Sequence, residues 1–302
     1  MAARKQVAVA AAAALASLAV YAALLQGPAA DPAADPAAET LAEADRLYAG
    51  GSYTEALALY EEAVAGGAGA DALAGKGEAL EALAMYGEAG EAYRAALEID
   101  PDHVRALRGE GFVLAIFDMA DAGMPYIDMA LEAEPDNAAI LATKGYALIR
   151  AGSPAESLDY LDRSIAIDPT APFAHNDRGF ALYLMGRPAE ALPYFDAALE
   201  LDPDNPIINS DKALALGALG RADEALALHD AALEIAPGNL LVLINRGTTL
   251  SDLAEYEEGR PGAGPSEYHG MAVSHLEGLL ADHPGNRAVE KALESAVLRA
   301  GG

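Results

Sequence analysis

An all-α solenoid of stacked helix pairs follows from three observations on this chain. Pro101, Pro135, Pro169, Pro203 and Pro237 recur at one constant interval, the length of the segment 172–205. Small residues keep the same step in three rows: Gly77, Gly111, Gly145, Gly179, Ala213 and Gly247; Ala89, Gly123, Ser157, Ala191 and Ala225; Ala96, Ala130, Ser164, Ala198 and Ala232. Each unit, for instance 172–205, reads as two amphipathic segments, the first containing GFALYLMG and the second EALPYFDAALELDP. Apolar residues at helical spacing give each segment a buried face, and small side chains let two helix backbones approach closely. The proline then stops the second helix, since it lacks an amide hydrogen and disfavours α geometry in the residue before it.

Residues 1–25 begin with Arg4 and Lys5 and run apolar from Val7 to Leu25, with Ser17 as the one clearly polar side chain. As a helix rising about 1.5 Å per residue, that run nearly matches a hydrocarbon core of roughly 30 Å. It reads as a membrane anchor. A cleaved export signal is the alternative, because small residues at Ser17-Leu18-Ala19 and Gly27-Pro28-Ala29 suit a peptidase; the apolar run is longer than a usual signal core, which favours retention. Either way the two basic residues keep the amino end in the cytoplasm and the repeats leave it. Residues 26–36 are an Ala/Pro/Asp-rich spacer kept extended by proline. The repeats span 37–286, with units near 37–69, 70–103, 104–137, 138–171, 172–205, 206–239 and 240–286. The last carries a Gly/Pro-rich loop at 257–268. Residues 287–302 form a helix that caps the exposed apolar face of the final unit.

The helix-turn-helix unit of this length, with small, aromatic and proline residues at these offsets, resembles the tetratricopeptide repeat family. The resemblance covers 37–286 and implies a right-handed superhelical solenoid of about seven repeats. One departure is the family's first-helix tryptophan, replaced by Leu73, Leu107, Leu141, His175, Asn209 and Leu243, which predicts weaker packing at His175 and Asn209. In the family the first helices line the concave side, where an extended peptide or partner helix binds. The resemblance therefore implies a protein or peptide partner seated near Phe112, Tyr146, Phe180 and Tyr183, with Leu214 continuing the row. Arg105, Arg108 and Arg150 stand on the same side, the first two to receive acidic groups. The matching places of the clamp that holds chaperone tails carry Arg108, Phe112, Thr143, Phe173 and Asp177 here, so a chaperone tail is not the implied ligand.

Composition narrows the function. The 302 residues include 47 acidic and 19 basic side chains, a formal charge of −28, and beyond residue 25 there are 17 basic against 47 acidic residues, a formal −30. A phosphate backbone is repelled by such a surface, so nucleic acid is not an expected partner. With no cysteine, disulfides, thiolate metal sites and thiol nucleophiles are excluded. His269, His275 and His283 are spaced by six and eight residues, which does not place them on one helix face for a metal. GRPGAGPS lacks the lysine and hydroxyl pair of a phosphate loop, and no Gly-x-Ser-x-Gly elbow is present. The expectation is a non-catalytic interaction scaffold that uses no cofactor, metal or small-molecule substrate, either anchored, secreted, or accessory to an envelope enzyme or secretion complex.

One charged series has its own register. Lys76, Lys144, Arg178, Lys212 and Arg246 precede the small residue of the first helices, with Glu110 as the exception. Asp128, Asp162, Asp196 and Asp230 precede the last four of them by one fixed offset, just under half a unit. This spacing predicts an ion-pair ladder between neighbouring units, with long basic stems lying over apolar surface.

Overall fold

A computed structural model describes residues 36–261 and 266–300, and the residues of the expected anchor and most of the spacer lie outside them. The described residues form fifteen helices and no strand. The first helices are α1 (Pro36–Ala49), α3 (Gly69–Ala82), α5 (Val104–Ile116), α7 (Ala138–Arg150), α9 (Pro172–Leu184), α11 (Pro206–Ala218) and α13 (Leu240–Glu258). Their second helices are α2 (Tyr53–Ala65), α4 (Tyr86–Ile99), α6 (Ala120–Ala133), α8 (Pro154–Ile167), α10 (Pro188–Leu201), α12 (Ala222–Ile235) and α14 (Glu267–Asp282). The chain closes with α15 (Arg287–Ala300).

The helix starts have local causes. Asn137, Asn205 and Asn239 each turn a side-chain oxygen onto two free amides of α7, α11 and α13, and His103 accepts from the Ala106 amide at the start of α5. The periodic prolines fall just past the ends of the second helices at Ile99, Ala133, Ile167, Leu201 and Ile235. Within each of the first six units the turn passes through a left-handed residue, beginning with Gly51. It is glycine at Gly152, Gly186 and Gly220, but Ala84 and Asp118 hold φ of 58° at the same place in two earlier units.

All three small-residue rows are buried. They form the seats for one large side chain per second helix: Tyr60, Tyr93, Ile127, Leu161 and Phe195, each fully enclosed. A Cβ added at Gly145 would stand 2.5 Å from Leu161 Cγ, so that seat takes no larger residue without movement. In the sixth unit the seat is filled by His229, also fully buried, whose Nε2 lies 2.8 Å from Thr249 Oγ1. Burial pushes its imidazole down to about 3, with Arg246 and His275 adding to the effect, so the ring is neutral.

First helices of successive units touch one another, whereas no second helix touches another second helix among the described residues. A stack joined along one row of helices and open along the other must curve, so the first helices face the concave side. At the carboxyl end α15 contacts α13 and α14 as a further first helix would. It buries Val289 and Ala296 against the last pair.

Two local expectations come out differently. Residues 257–258 and 267–268 are helical, because α13 runs on to Glu258 and α14 starts at Glu267. The extension carries Tyr256 over the α11–α12 turn, where a Cβ at Gly220 would meet the ring at 2.0 Å. His175 and Asn209, expected as weak packing points, are tied back instead: His175 Nε2 lies 3.0 Å from the Pro169 carbonyl, and Asn209 Nδ2 donates to the Asn205 carbonyl at 3.1 Å.

The ladder is present. Lys144 meets Asp128 at 2.5 Å, Lys212 meets Asp196 at 2.6 Å, Arg246 meets Asp230 at 3.6 Å, and Arg178 bonds to Asp162. Lys76 reaches Glu61 at 2.9 Å, one position off the register. Each bond ties a first helix to the second helix of the preceding unit. The acidic partners are exposed, so each of these rungs contributes about 0.2–1 kcal/mol.

Candidate functional site

The amino-terminal part of the concave side is a charged network. Arg105 donates from Nε to Glu78 Oε2 at 3.1 Å and has Asp45 at 3.8 Å. Arg108 directs Nη1 and Nη2 at the two oxygens of Glu81, 3.3 Å each, with Glu78 at 3.6 Å. The hydroxyls of Tyr60 and Tyr93 donate to Asp45 at 2.6 Å and to Glu81 at 2.7 Å. Burial alone would depress the Arg108 guanidinium, but Glu81, Tyr93 and Glu78 more than offset it and raise it above its usual range. The sequence suggested an open basic surface here. The structure instead gives each arginine carboxylate partners of its own, because α3 places Glu78 and Glu81 one helical turn apart opposite Arg105 and Arg108 on α5.

The aromatic residues fall into two groups. Phe112 and Tyr146 pack in a tilted arrangement with ring centroids 5.3 Å apart, and Tyr86 meets Phe112 edge-on at 6.2 Å, so three rings from α4, α5 and α7 run together. Phe180 stacks on Tyr183 at 6.0 Å within α9. All five rings are half-buried and keep some face toward solvent. Leu214, expected to extend the row, is only 3% exposed and belongs to the core. Arg150 is exposed and bonds to Asp118 at the turn of the preceding unit.

Tyr183 reaches further than its unit. Its hydroxyl donates to Asp252 Oδ2 on α13 at 2.9 Å, and Arg299 of α15 holds the other oxygen of that carboxylate at 2.7 Å. The curvature of the stack brings α9 and α13, two units apart, to opposite sides of one hydrogen bond.

Between these groups lie polar residues at one position of successive first helices, Asp177, Asp211 and Asn245. Asp211 is 6% exposed and accepts from Asn176 Nδ2 at 2.9 Å and Asn245 Nδ2 at 3.1 Å. Asn176 itself is 3% exposed, and its Oδ1 has no donor. Burial, then the charge of Asp211, push the Asp177 carboxyl up to about 8, with Asn176 pulling it partly back. Burial likewise raises Asp211 to about 7, against the hydrogen bonds from Asn176 and Asn245.

Two tetratricopeptide-repeat models match the chain, one over residues 41–104 and one over 144–214. The matches support the tetratricopeptide-repeat family. Solved structures share the architecture. TTC0263, a thermophilic tetratricopeptide-repeat protein of Thermus thermophilus, is 24% identical; the match covers 58% of this chain and 95% of that one, with a TM-score of 0.51. PilW, a widely conserved type IV pilus biogenesis factor, is 23% identical over 68% of this chain and 96% of its own, with a TM-score of 0.54. The Cut9–Hcn1 assembly of the APC/C is 15% identical over 87% of this chain and 56% of that one, with a TM-score of 0.60. At these identities the likeness is one of fold. No curated protein matches the chain. Tetratricopeptide-repeat proteins generally mediate protein–protein interaction, and their scaffold is typically non-catalytic.

Two of the histidines weighed as metal ligands make other bonds. His269 Nε2 lies 3.2 Å from Glu258 and His275 Nε2 lies 2.8 Å from the Leu243 carbonyl. Among the described residues no group of three or more His, Asp or Glu is placed to hold a metal ion, and no helix is long and apolar enough to cross a membrane. Sequence reasoning passed over Asp177 as a binding residue and did not single out Asp211, Asn176 or Tyr86. The signal for the carboxylates was available, since Asp177 and Asp211 are one full period apart and fall on the inner face of their helices.

Proposed function

We propose that the chain is a non-catalytic protein-binding scaffold, tethered to a membrane through residues 7–25 with its repeats outside the cytoplasm, that seats a partner segment along the concave face of the third to fifth units. The observation that carries this reading is the Phe112–Tyr146 pair. Two large rings from consecutive first helices lie 5.3 Å apart on the inner face and are only half-buried. Tyr86 extends them on one side, and Phe180 with Tyr183 lies on the other. Aromatic side chains desolvated at an interface commonly dominate its binding energy. Arg105 and Arg108, paired with Glu78 and Glu81, fix the wall beside the rings, and an acidic partner group would have to compete with those carboxylates. Arg150, exposed at the end of α7, contacts a different part of the same segment.

The test is partner recovery with the full-length chain and its Phe112→Ala and Tyr146→Ala variants. Loss of a recovered partner, with helicity and melting temperature within a few degrees of wild type, supports the groove. Retention of every partner by both variants overturns it. Read instead as a cleaved export signal, residues 7–25 give a freely secreted scaffold. The mass of the mature amino terminus separates the two forms, and co-recovery of an envelope enzyme marks an accessory subunit.

A further inference from the structure

The two halves of the groove treat their carboxylates differently. Asp45, Glu78 and Glu81 are answered by Arg105 and Arg108, within the chain. At the position of Arg108 two units later stands Asn176, and at the position of Arg105 stands Phe173. Asp177 therefore feels the charge of Asp211, and amides and rings lie around the pair. No basic side chain of the described residues figures among the groups that influence either. We propose that Asp177, Asp211 and Asn176 form a recognition site for one positively charged side chain, an arginine or lysine of the segment that binds in the groove.

Hydrogen bonding points to such a ligand first. Asn176 uses its amide group on Asp211, leaving Oδ1, in a side chain only 3% exposed, as an acceptor with no donor. The carboxyls of Asp177 and Asp211 become acceptors as well once a cation draws them into the ionised form. A site composed of acceptors favours a ligand rich in N–H donors; an ammonium brings three and a guanidinium five, whereas a hydroxyl brings one and an ionised acid none. Second, charge: two carboxylates in a desolvated setting repel, and each resists ionisation. A cation relieves both penalties at once, which a neutral hydrogen-bonding group does not. Third, surroundings: the charge of Asp177 is felt by the Tyr146 hydroxyl on α7, and that of Asp211 by the Tyr183 hydroxyl on α9. The carboxylates thus share their space with the half-buried aromatic rings, and ring faces favour a cation laid against them. Asp177 is half-buried rather than enclosed, so it is the member of the site open to an incoming group, while Asp211 and Asn176 are buried. A bare divalent ion is the poorer occupant, because the described residues offer no third carboxylate or imidazole to complete a metal site.

The cation site rests on the concave groove being the binding surface, and the experiment separates the two. A displayed library of random peptides is selected on the immobilised full-length chain, and the best binder is resynthesised with each arginine or lysine replaced by citrulline or norleucine. The expected result is enrichment of peptides that combine a basic with an apolar residue, and a loss of affinity of about tenfold or more on neutralising the basic residue. Asp177→Asn with Asp211→Asn should cause the same loss, and neutralising both sides should cost no more than either alone. The near-isosteric Asn variants keep the fold, which circular dichroism checks. Peptides that bind without a basic residue, compete with Tyr146→Ala-sensitive partners and ignore the Asp variants overturn the cation site and leave the groove standing. Peptides that select elsewhere, or none at all, overturn both.

Discussion

Arg94 on α4 lies 3.1 Å from Glu110 on α5, at the register where the other units place an acid on the second helix and a base on the first. This rung of the ladder has its charges reversed. The basic series broke at Glu110, and the break is compensated in space by Arg94, which keeps the offset of the other rungs along the chain. Burial follows position and not charge, since the first-helix member is enclosed in both rungs, Glu110 at 3% and Lys144 at 9%, and the second-helix member is exposed, Arg94 at 53% and Asp128 at 55%.

Restoring the common polarity should therefore require both changes. Arg94→Asp alone removes a half-exposed partner and puts a second carboxylate beside a buried one, and is expected to cost about 1–3 kcal/mol. Glu110→Lys alone sets a lysine against Arg94 and is also destabilising. The double variant Arg94→Asp/Glu110→Lys should recover most of the loss, read as the coupling energy of a double-mutant cycle in urea. Strictly additive effects would show that the pair does not interact.

Much of this was visible in one dimension. The period placed the helices, and the constant offset between acid and base placed Lys144 on Asp128, because a contact between neighbouring units repeats at a fixed distance along the chain. The groove chemistry was harder to read because its contacts obey no such rule. Arg105 and Arg108 meet Glu78 and Glu81 at a separation of 27 residues. Neither acid recurs in the next unit, where Phe112 and Ala115 take their places. Read alone, the arginines looked like free cations. Tyr183 and Asp252 are 69 residues apart, just over two periods, and only the curvature of the stack brings them together. Curvature is a property of many contacts, not of any one residue.

Gly145 and Gly278 are both helical, and their replacement by alanine should have opposite signs. At Gly145 the new methyl meets Leu161 within 2.5 Å in a closed seat, and overpacking of this kind costs about 1–3 kcal/mol. At Gly278, exposed within α14, a methyl meets nothing within 4 Å, and better helix propensity should stabilise by about 0.5–1 kcal/mol. Thermal melts of the two variants check the pair. A stabilising Gly145→Ala would mean that the seat is looser than the structure shows.

Titration should reveal two opposed contributions to stability. His229 is held neutral down to about 3 in the fold and titrates near 6.5 when unfolded, so its contribution is lost as pH falls from about 6.5 toward 3. Asp177 keeps its proton up to about 8 in the fold but releases it near 4 when unfolded. Between those values the folded state binds more protons, so this group destabilises progressively as pH rises from about 4 to 8. Above pH 6.5 the histidine is silent and the raised carboxyls act without it, Asp177 up to about 8 and Asp211 up to about 7. Asp177→Asn is therefore expected to be more stable than wild type by roughly 1–2 kcal/mol at pH 8.5, with the advantage vanishing toward pH 4. A constant difference across this range would show that Asp177 ionises normally.

Arg299 should matter most for the end of the solenoid that it closes. It holds Asp252 at 2.7 Å and Glu255 at 3.3 Å, and the Asp252 side chain is only 11% exposed. Burial raises that carboxyl, while Arg299 and the Tyr183 hydroxyl pull it back. In Arg299→Ala the carboxylate keeps one neutral donor and loses its counter-charge, a change of about 3–5 kcal/mol for a buried pair. The loss need not spread over the whole molecule. Repeat arrays couple through nearest neighbours, so it should appear first as opening of α15 and the adjoining α13 and α14, with α3 to α6 unaffected. Amide hydrogen exchange read helix by helix distinguishes this from uniform destabilisation. Tyr183→Phe, which removes the neutral donor and leaves the ion pair, should reproduce the same local pattern at smaller amplitude, about 1 kcal/mol. Equal loss of protection in α3 and α15 would show that the solenoid unfolds as one unit and that Arg299 does not close its end.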